Sequence, residues 1–242
     1  MQNPGYIALS RQVVLARQLD VTANNIANLD TVGFKRQGVL FREHVSDVAR
    51  GEQASYVADV GTVRDTSQGT LRRTDRPLDI GIEGGGYLSL ETPAGERYGR
   101  DGQFQLNGDS EIVNRNGFPL LDTDGERITV PPDAAEIVIQ TDGAILAGDD
   151  EIARIKVSRF ENPQELIHTA DGVYRADGQP PLEDQASKLR QGMLESSNVN
   201  PIRELVNMLE IQRDYEGAHK MVKGEHDRLT RAIRELARIE QS

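Results

Sequence analysis

Four histidines, one glycine-rich run and one acidic turn are the places in this 242-residue chain where chemistry could reside. His44 and His168 stand alone, and His219 and His226 lie seven apart in a helix-like stretch. Two histidines two turns apart do not share a zinc ion without a third ligand, and no His-Glu-x-x-His run occurs. Packing or solvated roles are expected for all four. The run GIEGGGYLSL (residues 81–90) leads into a strand-like segment. A phosphate cradle needs a helix there, so a tight β turn or bulge is expected. In DTDGE (122–126) the glycine falls at the fourth place, where a calcium loop needs it at the sixth, and a hairpin turn is expected. No carboxylate pair is marked out for acid/base work, and Ser10, Ser46 and Ser67 sit in no nucleophile-elbow pattern. Cysteine is absent, which removes thiolate nucleophiles, thiolate zinc sites and disulfides. These residues predict no catalytic group, no cofactor and no metal.

The elements around them carry more information. From Tyr6 to Leu29 no glycine or proline interrupts the chain, and two apolar stripes recur at helical spacing. One runs Leu15, Leu19, Thr22, Ile26, Leu29; the other runs Leu9, Val13, Ala16, then Ala23 and Ala27. Together they make a face wider than one partner helix would cover. A boundary is expected near 30–33, with Gly33 at the helix C′ position. At the other end, Asn200 and Pro201 have the types of a helix cap and first position, and only two glycines interrupt the run to Ile239. A seam is predicted along Ile202, Leu205, Leu209, Val222, Leu229, Ile233 and Leu236, interrupted by the polar Gln212, Glu216 and His219. Between the ends, Asp-Gly and Asn-Gly pairs recur from Asp101-Gly102 to Asp177-Gly178, with short apolar runs between them, the rhythm of hairpins. The sequence therefore predicts an α+β protein. Residues 1–36 and 191–242 form long helices that pair in a coiled-coil-like manner, residues 37–75 form an extended connector, and residues 76–190 form an inserted all-β domain.

The formal charge of −11 is concentrated in the middle, since residues 1–36 carry +2 and residues 202–240 balance. Nucleic acid binding needs a basic face, so no nucleic-acid partner is expected. No stretch has the length and apolarity of a membrane span, and the start lacks the basic leader of a cleaved signal peptide.

ALSRQVVLARQLDVTANNIANLDTVGFKR (8–36) resembles the N-terminal signature of the bacterial flagellar axial proteins, which comprise rod, hook and hook-associated proteins. Residues 76–131 resemble the β domain of hook and distal-type rod proteins, and residues 191–222 resemble the C-terminal signature. The YIALSRQ start and the chain length favour the proximal rod over the distal rod or hook. This resemblance implies a structural subunit of the basal-body rod. It implies export without a cleaved signal through the flagellar type III apparatus, then polymerisation in the periplasm into a helical tube with itself and other rod subunits. The terminal helices would lie inside and the β domain outside, without membrane insertion. Leu15, Leu19, Ile26, Leu205, Leu209, Leu229, Ile233 and Leu236 are then expected at subunit interfaces, and Phe41 with Val45 matches the family's export-gate pattern. Tyr87 stands where the family often has Phe, and Tyr98-Gly99-Arg100 where Tyr-Thr-Arg is usual; altered outer contacts of the β domain are the expected consequence. The competing reading is a secreted cell-wall hydrolase with helical anchors. Asn24, Asn25 and Asn28, poor helix-interior residues, have two readings: fixing register between subunits, or forming a local cap or turn before Gly33. In the lone chain both ends are expected to fray, leaving a protected core near 70–190.

Overall fold

A computed structural model describes residues 4–48, 52–132, 134, 136–169 and 171–239; the side chains of 4–7, 42–60, 232–233 and 235–239 lie outside that description. The chain forms two compact units. The first comprises residues 1–27, 37–64 and 200–242, and the second residues 28–36 and 65–199.

The first unit is built from helix α1 (Pro4–Ala27), strands β1 (Gln37–Val48) and β2 (Glu52–Arg64), and helix α2 (Pro201–Ile239). Strands β1 and β2 pair antiparallel from Gln37↔Arg64 to Val48↔Glu52, with a bulge at Leu40/Phe41. The expected extended connector is thus, over residues 37–64, a long hairpin. Its β-branched and aromatic residues at Val39, Phe41, Val45, Tyr56, Val57 and Val63 favour strand, and the interspersed charges concealed that preference. Helix α2 opens as expected: Asn200 Oδ1 accepts from Arg203 N (3.1 Å) and its carbonyl accepts from Glu204 N (3.0 Å). The two helices run antiparallel, since Arg11 bonds Asp214, Gln12 bonds Tyr215, and Asn25 bonds Glu204.

The second unit is the β-rich one. Its strands are β3 (Leu71–Arg73), β4 (Ile80–Glu83), β5 (Tyr87–Thr92), β6 (Gly95–Gly99), β7 (Phe104–Leu106), β8 (Ile112–Asn114), β9 (Ile137–Ile139), β10 (Ala144–Ala147), β11 (Asp150–Arg154), β12 (Val157–Arg159), β13 (Ile167–His168), β14 (Tyr174–Arg175), β15 (Leu182–Glu183), β16 (Lys188–Gln191) and β17 (Met193–Glu195). The widest sheet has the order β13-β14-β6-β5-β12-β15. The last strands return to the first, β16 to β4 and β17 to β3, so the unit starts before residue 76 and continues past 190. Ile80, Leu88, Leu90, Phe104, Ile112 and Leu120 lead a fully buried core. A second cluster joins Tyr87, Tyr98, Phe160, Leu166 and Tyr174, with Tyr98 and Phe160 edge to face at 4.7 Å. Tyr87 is therefore inside, and Gly99 beside Tyr98 is buried too, which corrects the expectation that these two positions alter outer contacts. Burial, and then the Glu96 carboxylate, push the Tyr98 hydroxyl up to about 12.

The turn dipeptides sit at turns or bends, with one exception. Asp101-Gly102 is an extended passage whose Gly102 carbonyl accepts from Ile80 N (2.9 Å), and a Cβ there would strike the Ile80 carbonyl. The acidic run DTDGE is a turn in which Asp122 Oδ1 accepts from Asp124 N and Glu126 N (3.0 and 2.8 Å), leaving that oxygen committed to backbone.

Candidate assembly interface

The two stripes of α1 have separate fates. Leu15 and Thr22 are buried, while Leu19 and Ile26 are half-buried; all four belong to the first stripe. The second stripe is open: Leu9 is 47% and Val13 62% exposed, Ala16 is half-buried, and Ala23 and Ala27 are exposed. On α2 the residues turned inward are Glu204, Met208, Ile211, Tyr215, Ala218 and Val222, at 4-3-4-3-4 spacing. The predicted seam is therefore not one seam. Ile202, Leu205 and Leu209 lie on the outer side, 75%, 51% and 55% exposed, and Val206 beside them is exposed as well. Leu229 is also exposed, and the side chains of Ile233 and Leu236 lie outside the described residues. The expectation failed because the inner stripe opens on a charged residue, Glu204, which is 1% exposed.

Asn25 explains that buried charge. Its Nδ2 donates to the Gln37 carbonyl (2.8 Å) and to Glu204 Oε2 (3.3 Å), while its Oδ1 accepts from Gln37 N (2.9 Å). One amide thus ties α1, the start of β1 and α2 within a single chain. Asn28 forms a turn, with its carbonyl accepting from Thr31 N and its Oδ1 from Thr31 Oγ1 (3.0 Å). Asn24 alone of the three is exposed. Replacing Asn25 with leucine removes three hydrogen bonds from a buried position. The expected loss is about 2–3 kcal/mol in chemical unfolding followed by helix circular dichroism. The same change at exposed Asn24 should stay within about 0.5 kcal/mol in the monomer.

Gly33 is not a helix cap, since α1 ends six residues earlier. It takes a left-handed conformation (φ 68°), donates its N–H to the Glu195 carbonyl (2.8 Å), and a Cβ there would lie 2.5 Å from the Arg100 carbonyl oxygen. This close approach leads to a cluster that sequence reasoning missed. Lys35 Nζ reaches Glu195 Oε1 (2.6 Å) and the Ser67 carbonyl (2.8 Å). Arg100 reaches Glu195 Oε2 (3.3 Å) and the carbonyls of Gly84 and Gly86, and Gly69 N donates to Glu195 Oε1 (2.8 Å). All three charged side chains are fully buried. Burial first, and then Arg100, hold the Lys35 ammonium below its usual range against the pull of Glu195. Beside this cluster, Asn198 accepts from Arg36 N (2.7 Å) and donates to the Asp65 and Ser67 carbonyls (3.0 Å each).

Phe41 and Val45 both fall in β1, opposite Asp59 and Ser55. Phe41 is half-buried, and the Val45 side chain is outside the described residues. For the competing hydrolase reading, a cleft of about 420 Å³ in the β unit is lined by Lys156, Ser158, Asp184 and Ser187 among others, with no histidine. Its polar groups have structural partners: Ser158 Oγ with Ser89 Oγ (3.0 Å), Ser187 Oγ with Asp184 (2.5 Å), and Lys156 with Glu96 (3.0 Å). Among the described residues no three metal-ligating side chains are grouped, and no helix is long and apolar enough to cross a membrane.

Comparison with known proteins places these elements. A family model described as "Flagella basal body rod protein" matches residues 6–35, "Flagellar hook protein FlgE/F/G D1 domain" matches 81–147, and "Flagellar basal body rod FlgEFG protein C-terminal" matches 190–235. The chain is similar to the flagellar basal-body rod protein FlgF of Caulobacter vibrioides, 34% identical over 244 residues covering 99% of this chain and 100% of the relative. It is 31% identical to FlgF of Mesorhizobium japonicum over 238 residues, 98% of each, and 30% identical to FlgG of Bacillus subtilis over 244 residues, 90% of this chain and 92% of that one. With helix, β unit and closing helix each matched in that order and relatives aligned from end to end, the chain belongs to the flagellar basal-body rod protein family, as a FlgF-like member.

Proposed function

We propose that this chain is a structural subunit of the flagellar basal-body rod, of the proximal-rod kind, which polymerises through its terminal helices with itself and with sister subunits. The observation that carries this reading is the bare apolar side of both helices, in a chain similar over its whole length to rod proteins. A stable monomer has no use for Ile202, Leu205 and Leu209 in water, whereas a helical tube supplies walls for them. Between subunits the helices would continue the antiparallel pair in coiled-coil fashion, and exposed Asn24 is the asparagine placed to meet a neighbour. Among the described residues of the β unit no group stands out for an enzymatic role, and neither nucleic acid nor membrane is expected as a partner.

Export through the flagellar type III apparatus as an unfolded chain, to a periplasmic site of assembly, completes the reading. Phe41 and Val45 would be read before folding, because β1 pairs with β2 once the hairpin forms. The similarity to FlgG supports a second reading, a subunit of the distal rod. An in-frame deletion, complemented in trans, tests the assignment: basal bodies from the deletion strain should lack a complete rod and the cells should not swim. Intact basal bodies and normal swimming would refute it, and labelling the complemented chain in isolated basal bodies separates the proximal from the distal position.

A further inference from the structure

We propose that Asp79 is a built-in destabiliser, a buried carboxylate that keeps the β unit easy to unfold and the chain fit for export. The inference rests on the reading of this chain as a subunit exported unfolded, and adds the device that limits how firmly the unit holds. Two buried carboxylates of the β unit have opposite surroundings. Glu195 meets Lys35, Arg100 and the Gly69 N–H. Asp79 is 1% exposed, and among the described residues neither of its carboxylate oxygens has a hydrogen-bond partner. The Arg76 Nε stands 3.9 Å from Oδ1, beyond hydrogen-bond reach, on a side chain that is 62% exposed.

The neighbourhood adds a charge of the same sign. Asp101 is close enough for the two carboxylates to oppose each other, and it is itself engaged by Arg115 Nε (3.0 Å) and Gln103 N (3.1 Å). Burial first, with the Asp79 charge acting in the same direction, holds the Asp101 carboxyl above its usual range. The backbone keeps Asp79 from turning out to water. Its N–H donates to the Arg76 carbonyl (3.2 Å), its carbonyl accepts from Gly192 N (2.8 Å), and Ile80 N beside it donates to the Gly102 carbonyl (2.9 Å). A charge buried without a close partner subtracts from folding free energy. A subunit that enters the export apparatus unfolded surrenders that free energy first, so the same carboxylate that weakens the folded unit eases its passage.

The test uses the full chain carrying Asp79→Asn, or Asp79→Ala, which removes the polar atoms altogether. Asp149→Asn, at an exposed turn, controls for the change in net charge. Urea unfolding read by tyrosine fluorescence should show the midpoint raised by about 0.5 M or more in an Asp79 variant and unmoved in the control. At equal expression in the complemented deletion strain, the stabilised variant should leave the cytoplasm several-fold less than the unmodified chain. Adding Ile112→Val, a small loss in the buried core, should lower the midpoint again and restore export. A midpoint that rises in neither Asp79 variant overturns the proposal. A raised midpoint with unchanged export overturns it too, as does an export loss that Ile112→Val leaves in place, and both spare the rod reading. Export of the unmodified chain that persists without the type III apparatus would remove the export reading and this inference together.

Discussion

Replacing Glu195 with glutamine is expected to cost the β unit about 3–5 kcal/mol, the range for removing one partner from a buried ion pair. Glu195 is the shared counter-ion of Lys35 and Arg100, and its side chain is fully buried. Without it, two cations remain in a dry site facing mostly backbone carbonyls. Lys35→Met should cost less, because Glu195 then keeps Arg100 and the Gly69 N–H. Urea unfolding of the three proteins, read by tyrosine fluorescence, checks the order. If Glu195→Gln unfolds within about 1 kcal/mol of the unmodified chain, the cluster is not what closes this unit.

The second large effect concerns where the β unit ends. A fragment of residues 70–190 is expected not to fold, although the turn rhythm made those limits look natural. It lacks Lys35, Glu195 and strand β17, the partner of β3. A fragment of residues 28–199 with residues 37–64 replaced by a short glycine-rich turn should fold cooperatively, since Asp65 N already donates to the Arg36 carbonyl (2.8 Å). Limited proteolysis of the whole chain should accordingly protect Lys35 and Glu195 along with the sheets. A folded 70–190 fragment, by amide dispersion in a proton–nitrogen spectrum, would contradict this.

The contrast between those limits shows what the sequence could and could not convey. Hydrophobic periodicity located both helices, but it drew the inner face of α1 only in part: Leu15 and Thr22 are buried as its first stripe implies, whereas Ala8, Val14 and Val21, also buried, belong to neither stripe. Turn chemistry located the β unit, because a residue such as Gly125 (φ 83°) is legible without its neighbours. The inner face of α2 was misread because Glu204 is acceptable there only through Asn25, 179 residues away. Lys35 and Glu195, 160 residues apart, likewise look like ordinary surface charges until the fold joins them. Hairpin β1–β2 was overlooked for a related reason: its strand-forming residues are interrupted by charges at Arg42, Glu43, Asp47 and Asp59, so no clean alternation emerges.

The hydrogen bond between Arg36 and Asp65 has one more consequence. The Asp65 N–H meets the Arg36 carbonyl where the chain passes into hairpin β1–β2 and returns from it, so this junction does not depend on the length of the hairpin. Insertions or deletions taken in register on both strands would leave the Arg36–Asp65 bond and the Lys35–Glu195 pair untouched and would be felt in the packing of the hairpin on α1, inside its own unit.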